Sequence, residues 1–422
     1  MTRYYKLSLI FLTLFFSLFL IGCQNEPETN GDGTFTVEFY DKHAENPVLK
    51  TITCEVGVPC EIVAPAKPNN KENAYFTRWN VWEDDYDSIQ TNTRITAIYT
   101  LDNRLVTIGD RSVVFYSFFI MSGIMVALLL GLRETKRTGI KQDDLIDGFL
   151  WIVPVAILGA RLWYVVFEWN QFVYGGFFPS LLRILGFSSG RLDFSTFGLS
   201  GLAIHGAFTV AFICAILYTK KRKINPWKVL DLIAVGFIIA QAFGRWGNFF
   251  NQEAHGGLVG GMTEGIANLS LKEQYEILRY SIGLPEFIVN NMYIIQGSGG
   301  YAVTPVTGFY HPTFFYESML NVLGFAVMLI LRRVKSIRFG ELFALYLVWY
   351  GSVRIFIETM RTDPLTFELF GMTFKSAIAT SVLMIIAGIG ISLFLRLKLK
   401  GDSYGTVSGC IEFKKTKKNE VE

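Results

Sequence analysis

The sequence lacks the motifs of several large enzyme classes. It contains no HExxH zinc motif and no Gly-rich Walker loop, and its two GxSxG matches, at residues 186–190 and 401–405, lie in a predicted connection and in the carboxyl-terminal tail rather than in a strand-turn-helix elbow. Hydrolases, zinc proteases and nucleotide-driven pumps therefore lose their usual support. Its five cysteines form neither CxxC pairs nor a His/Cys array. Nothing in the sequence indicates a structural zinc site, and we expect no metal, cofactor or nucleic-acid partner.

Charged residues are also scarce, at 18% of the chain, whereas hydrophobic residues reach 51% and aromatic residues 15%. This composition is typical of a polytopic membrane protein. Seven apolar segments each approach the ~20 residues needed to cross a bilayer. They lie at roughly 113–131, 146–168, 201–218, 229–249, 313–331, 340–358 and 374–395. We therefore predict an all-α membrane domain of about seven transmembrane helices over residues 101–396.

The amino-terminal 23 residues have the form of a secretory signal. Arg3 and Lys6 precede an uncharged apolar run over residues 7–21, which ends at Gly22 and Cys23. The closing Leu-Ile-Gly-Cys resembles a lipobox, and this implies that Cys23 is lipidated and becomes the mature amino terminus. The alternative is an uncleaved signal anchor. Residues 24–33 are polar and predict a short tether.

Residues 34–100 show the alternation of a small β domain. Phe35, Val37 and Phe39 fall on one face of a predicted strand. The segment resembles the Listeria-Bacteroides repeat, which implies a β-grasp-like surface module. The matching positions are residues 36–40, Gly57, residues 65–68, Trp79 and residues 91–99. Cys54 and Cys60 either pair across a turn outside the cytoplasm or remain as two free thiols.

Basic residues predict the orientation of the membrane domain, because Lys and Arg concentrate in cytoplasmic loops. They cluster after the first, third and fifth apolar segments and in the tail over residues 397–422. The two long connections, at about 169–200 and 250–311, carry few of them. We expect the tail in the cytoplasm, the β domain and both long connections outside, and the protein in a bacterial plasma membrane as a multi-pass protein.

Residues 244–256, GRWGNFFNQEAHG, crowd polar groups at the end of the fourth apolar segment. We call this stretch the signature. Polar and charged groups at such depth are costly and are usually functional. The alternative is a re-entrant turn whose glycines permit close packing and whose polar side chains satisfy free backbone groups.

Other segments bring polar residues to the same predicted outer half of the membrane. They are Arg161, Tyr164, His205, His311, Tyr316, Glu317, Tyr350, Arg354, Glu358 and Arg361. Several arginines beside a neutral histidine suit a phospholipid headgroup, because the guanidinium fork binds phosphate through paired hydrogen bonds. Two structural alternatives stand: Arg354 and Glu358 only lock two helices as an ion pair, and His205 is only a packed, hydrogen-bonded residue at a helix start.

The order of these motifs resembles the prolipoprotein diacylglyceryl transferase family. The motifs are Tyr116, residues 159–164, His205-Gly206, the signature, His311-Pro312 with Tyr316-Glu317, and residues 350–363. The resemblance implies transfer of the diacylglyceryl group of phosphatidylglycerol to the lipobox cysteine of a preprolipoprotein signal peptide, with membrane lipids as surroundings and glycerol phosphate as the second product.

The resemblance also implies roles for individual residues. Arg245 and Arg354 are assigned to the phosphate and leaving group, and His205 is the candidate base. Expected substrate-binding or positioning residues are Tyr116, Arg161, Asn248, Glu253, Gly256, Tyr316, Tyr350, Glu358 and Arg361.

Two features depart from the family pattern. Ala207 follows His205-Gly206 where the family commonly has another glycine, and the lipobox and β domain are additions to the usual enzyme. Two other functions remain as alternatives: a surface-displayed binding protein anchored by a degenerate transferase body, and a transporter of anionic solutes.

Overall fold

The computed structural model describes residues 29–69, 74–109, 111–192, 203–297, 304–361, 366–369, 372–397 and 403–404. Cys23 and the rest of the expected signal lie outside them. The chain divides into two compact units. The first comprises residues 1–120, 244–318 and 356–376, and the second comprises residues 121–243, 319–355 and 377–422.

A four-stranded sheet forms the amino-terminal part of the first unit, in the order β2-β1-β4-β3. Its strands are β1 (Thr34–Tyr40), β2 (Val48–Glu55), β3 (Phe76–Trp79) and β4 (Thr93–Tyr99). β1 pairs antiparallel with β2 and parallel with β4. A hairpin of β5 (Arg104–Ile108) and β6 (Arg111–Val114) follows.

The sheet buries the face that the alternation predicted. Phe35, Val37 and Phe39 have no exposed surface and pack with Trp79 and Ile95. A strand places alternate side chains on one face, so the period-two pattern produces this core directly. Cys54 and Cys60 form a disulfide beside it.

Long helices coincide with the seven predicted apolar segments. They are α1 (Phe115–Thr138), α2 (Gln142–Phe167), α5 (Ile204–Arg222), α6 (Pro226–Phe250), α9 (Thr313–Leu331), α10 (Glu341–Met360) and α11 (Ser376–Leu397). Within the described residues, six of them are long and apolar enough to cross a membrane, all except α5. The protein is therefore a polytopic membrane protein with a small amino-terminal β region.

The connection after α6 folds into a compact head within the first unit. Its helices are α7 (Leu271–Glu276), a π-helical turn (Ile277–Ser281) and α8 (Glu286–Asn291), and its two-residue strands are β7 (Met262–Thr263), β8 (Ile266–Ala267), β9 (Tyr293–Ile294) and β10 (Gly308–Phe309). Leu278, Ile288 and Phe309 have no exposed surface, and they pack around Phe249 at the end of α6. The head is thus built on the last turn of the helix that carries the signature.

In the second unit, α2 and α5 pack through glycine. The connection between them carries two short helices, α3 (Trp169–Phe172) and α4 (Phe177–Ile184). A Cβ atom on Gly206 would lie 2.3 Å from Trp163 Cβ and 2.4 Å from the Gly159 carbonyl oxygen. Only glycine permits this approach, a common device where membrane helices pack closely. In the first unit, a hairpin of β11 (Thr366–Leu369) and β12 (Met372–Lys375) precedes α11.

Candidate active site

The carboxyl-terminal end of α6 carries two of the predicted site residues on one face. Arg245 and Asn248 are one helical turn apart. The Arg245 guanidinium donates from Nη2 to Glu317 Oε1 at 2.7 Å and from Nη1 to Asn248 Oδ1 at 3.2 Å. The Glu317 side chain is only 2% exposed, so this ion pair is largely shielded from water. Arg245 is therefore held in a defined direction by two acceptors.

Asn248 extends the network to the turn after α6. Its Nδ2 donates to Glu253 Oε1 at 2.8 Å, and the same oxygen accepts from Asn251 Nδ2 at 3.3 Å. The amide of Asn248 thus turns its oxygen to the arginine and its nitrogen to the carboxylate, using both functions of the side chain. A continuous chain of contacts joins Glu317, Arg245, Asn248 and Glu253.

The turn over residues 251–256 has an unusual backbone. Gln252 and Ala254 have φ values of 51° and 56°, in the left-handed region that non-glycine residues seldom adopt. Two contacts hold it: Thr313 Oγ1 donates to the Ala254 carbonyl at 2.6 Å, and Gln252 Nε2 donates to the Asn291 carbonyl at 2.8 Å. Strained residues persist only where their surroundings impose the conformation, and such positions cluster at functional sites.

Gly256 lies where three backbone segments meet. Its amide donates to the His311 carbonyl at 2.8 Å, and it bridges to Arg361, whose neighbour Met360 accepts from the Gly257 amide at 3.0 Å. A Cβ atom on Gly256 would lie 2.9 Å from His311 Cβ. Glycine is required by this approach, and it brings His311 and Arg361 to the signature turn.

His311 lies just before α9, one helical turn from Tyr316. Its Nδ1 is 3.4 Å from the Tyr316 hydroxyl oxygen. Burial lowers the pKa of the His311 imidazole below its ordinary value. Because its ordinary value is already near 6.5, the imidazole is neutral at pH 7.

Tyr116 packs against the signature from the first turn of α1. A Cβ atom on Gly247 would lie 2.7 Å from Tyr116 Cδ2, so this glycine makes room for the tyrosine ring. Beside it, Phe115 stacks on Phe250 with ring centroids 4.1 Å apart. Glu358, near the end of α10, is 1% exposed.

Four predicted site residues belong to the second unit. Arg161 is 5% exposed and donates to the carbonyls of Ile184 at 3.1 Å and Arg183 at 2.7 Å, so it binds the carboxyl end of α4. Tyr350 stacks with Tyr346 along α10, which also carries Arg354. The fourth is His205, at the start of α5, and its side chain lies outside the part of the chain that the structure describes.

Glu317 is a contact residue to which the sequence prediction assigned no role, although it named Glu317 among the polar residues of the outer half. The signal for it was present: a carboxylate one turn inside an apolar helix requires a cation or proton as partner. The sequence alone did not predict which cation pairs with Glu317, because Arg245 lies 72 positions away along the chain.

Comparison with known proteins identifies similar chains. The model of the prolipoprotein diacylglyceryl transferase family matches residues 103–394. A protein named phosphatidylglycerol–prolipoprotein diacylglyceryl transferase from Listeria monocytogenes is 38% identical over 307 residues, 73% of this chain and 94% of the relative. Proteins of the same name from Halalkalibacterium halodurans (37% over 301 residues, 71% and 89%) and Lactobacillus delbrueckii subsp. bulgaricus (38% over 304 residues, 72% and 94%) are similar to it as well.

Proposed function

The chain belongs to the prolipoprotein diacylglyceryl transferase family, and from that premise we propose that it transfers the diacylglyceryl group of phosphatidylglycerol to the lipobox cysteine of preprolipoproteins. The family predicted from the spaced motifs is confirmed by this membership. The structural observation that supports this function is the hydrogen-bond network from Glu317 through Arg245 and Asn248 to Glu253.

Arg245 suits the phosphate of the lipid. Its fork uses one nitrogen for Glu317 and one for Asn248, and this fixes the plane of the guanidinium. A planar guanidinium held in advance stabilises charge that grows on an oxygen in the transition state, because no reorganisation is needed when the bond breaks. We assign Arg245 to the phosphate, and Glu317 and Asn248 to its orientation.

The transfer step forms one bond and breaks another. The cysteine sulfur attacks the glycerol carbon that carries the phosphate ester, and the new thioether bond replaces the carbon–oxygen bond. The oxygen leaves with the electron pair as glycerol phosphate. A cysteine thiol with a pKa near ~8.5 is mostly protonated at pH 7, so a base assists by taking its proton. We keep His205 as the candidate base from the family resemblance.

The resemblance assigns the remaining roles. Arg354 stabilises the leaving group and Glu358 orients Arg354. Lipid or peptide is positioned by Tyr116, Arg161, Glu253, Gly256, Tyr316, Tyr350 and Arg361. Of these, Glu253 is supported by its contact with Asn248, which also binds Arg245, and Gly256 is supported by its close approach to His311.

The orientation in the membrane completes the proposal. The basic connections and tail face the cytoplasm, and the head and β domain face outward. α5 spans the membrane as a seventh helix. The order β2-β1-β4-β3 with a central parallel pair supports a β-grasp-like domain. Cys23 is itself lipidated and anchors the mature amino terminus, with residues 24–33 as a tether.

A transfer assay in liposomes tests the function. The substrates are phosphatidylglycerol and a lipobox peptide, and wild type is compared with the double variant Arg245→Ala, Glu317→Gln, which leaves no unpaired charge behind. We expect lipidated peptide from wild type and none from the variant. Equal product from both would overturn the role of Arg245. No product from wild type would favour a surface-binding function for the whole chain.

A further inference from the structure

The β domain is an addition to the usual enzyme, yet it contacts the head through a buried arginine. Arg78, at 8% exposure, places its guanidinium 4.2 Å from the centroid of the Tyr275 ring of α7. Its Nη2 lies 3.4 Å from Glu286 Oε1 of α8. The Trp82 ring of the β domain packs against the same Tyr275 ring in a T-shaped arrangement, with ring centroids 5.7 Å apart. A cation over an aromatic face is favourable, and more so away from water.

Two polar contacts extend this interface. Lys272 Nζ of α7 lies 2.5 Å from Asp85 Oδ1 of the β domain. The Leu101 amide, two residues after β4, donates to Asn291 Oδ1 at the end of α8 at 2.9 Å. The domain is therefore docked along the face formed by α7 and α8, and the residue that directly follows the domain is bonded to the head.

Asn291 carries this contact onward to the signature. It has no exposed surface, and its Nδ2 donates to the Phe249 carbonyl at 2.8 Å. Its own carbonyl accepts from Gln252 Nε2 at 2.8 Å. Phe249 directly follows Asn248, and Phe249 and Gln252 flank residues 250–251. Asn291 therefore contacts the signature on both sides of Asn251, the residue that begins the turn.

We infer that Asn291 is a positioning residue that couples the docked β domain to the signature turn. The chain directly after the β domain holds Asn291 through the Leu101 amide, and Asn291 holds the backbone that aims Asn248 and Glu253. Because a displacement of about 1 Å at a reacting group costs up to ~100-fold in rate, a loosened turn lowers transfer even with every catalytic side chain in place. The effect on transfer rests on the proposed function, whereas the coupling itself does not.

Hydrogen exchange measured by mass spectrometry tests the coupling without any activity. The full-length protein in detergent is compared with Arg78→Met, which keeps the side-chain volume but loses the cation and the ion pair. The matched control is Arg94→Met, because Arg94 pairs with Glu38 at 2.8 Å and lies over Tyr40, both within the β domain. We expect peptides covering residues 248–256 to exchange at least ~3-fold faster in Arg78→Met and at the wild-type rate in Arg94→Met. Equal exchange in all three proteins overturns the coupling.

Kinetic measurements and the reversal of one ion pair complete the test. Asn291→Leu should lower kcat about 10-fold per folded molecule while KM for phosphatidylglycerol stays within ~2-fold, since the lipid-binding groups remain. Asp85→Lys should speed hydrogen exchange at residues 248–256, and adding Lys272→Asp should return the exchange rate to that of wild type. Wild-type kcat in Asn291→Leu, or no rescue in the double variant, contradicts the proposal. A wild-type protein without transfer activity would refute the proposed function alone, because the exchange measurements still report the coupling.

Discussion

Replacing Arg245 by lysine keeps the positive charge but removes the planar fork. The structure gives Arg245 two directed bonds, to Glu317 at 2.7 Å and to Asn248 at 3.2 Å. A lysine ammonium can satisfy the Glu317 carboxylate, which is 2% exposed, but it then has no fixed second direction for a phosphate. The variant should fold, because no charge is left buried without a partner.

The size of the effect follows from one lost charge-assisted hydrogen bond in the transition state. Such a bond contributes about 1.5–3 kcal/mol, and each ~1.4 kcal/mol is a factor of ten in rate. We therefore expect kcat/KM for peptide lipidation to fall between roughly 10-fold and 150-fold in Arg245→Lys, measured in liposomes of phosphatidylglycerol with a fluorescent lipobox peptide.

A matched substitution separates chemistry from stability. Arg333 forms a two-bond pair with the buried Glu134, at 2.7 and 2.9 Å, in the second unit. Arg333→Lys loses a similar interaction, so it should lower the melting temperature but leave kcat/KM per folded molecule within ~3-fold of wild type. If Arg245→Lys has wild-type kcat/KM, or if Arg333→Lys loses as much, the assignment of Arg245 to the phosphate is wrong.

Three further predictions concern the signature turn. Asn248→Asp places a carboxylate against Glu253 where the amide nitrogen now donates at 2.8 Å, so the transfer rate should drop at least ~10-fold. Adding Glu253→Gln restores a donor, and the rate should recover in part. Full activity of the Asn248→Asp variant would contradict the network. Gly256→Ala should destabilise the head by about 1–3 kcal/mol in thermal melts, because the new Cβ atom would lie 2.9 Å from His311 Cβ. The control is Gly257→Ala, whose Cβ atom would meet no atom within 4 Å, and it should have the melting temperature of wild type. Burial lowers the pKa of His311, so the unfolded chain binds a proton more readily than the folded chain, and stability should fall as the pH drops below ~6.5. In His311→Gln the difference between the melting temperatures at pH 7.5 and pH 5.5 should be smaller than in wild type. An unchanged difference would refute this prediction.

Local patterns predicted the elements but not the contacts between distant parts of the chain. Among the described residues, apolar length located seven long helices, of which six are apolar enough to cross a membrane. Alternation predicted the buried face with Phe35, Val37 and Phe39, since both patterns depend on residues close in sequence. The pairing of Arg245 with Glu317 depends on tertiary packing, and no periodicity reports it.

The signature turn shows the same limit. Its residue types indicated a functional site, but the left-handed backbone at Gln252 and Ala254 is imposed by Thr313 and Asn291, which lie far along the chain. The docking of the β domain was likewise not predictable. In the sequence Arg78 cannot be told from an ordinary surface arginine, and only the fold places Tyr275 and Glu286 beside it.

The most direct measurement is the product balance of the purified wild-type protein. Phosphatidylglycerol and a lipobox peptide are incubated with it, peptide mass and water-soluble phosphate are followed together, and a peptide with serine in place of the cysteine serves as control. We predict that each cysteine peptide gains one diacylglyceryl group, that one glycerol phosphate is released per modified peptide, and that the serine peptide is unchanged. Peptide modified by a single acyl chain without release of glycerol phosphate, or no modified peptide at all, would contradict the proposed transfer.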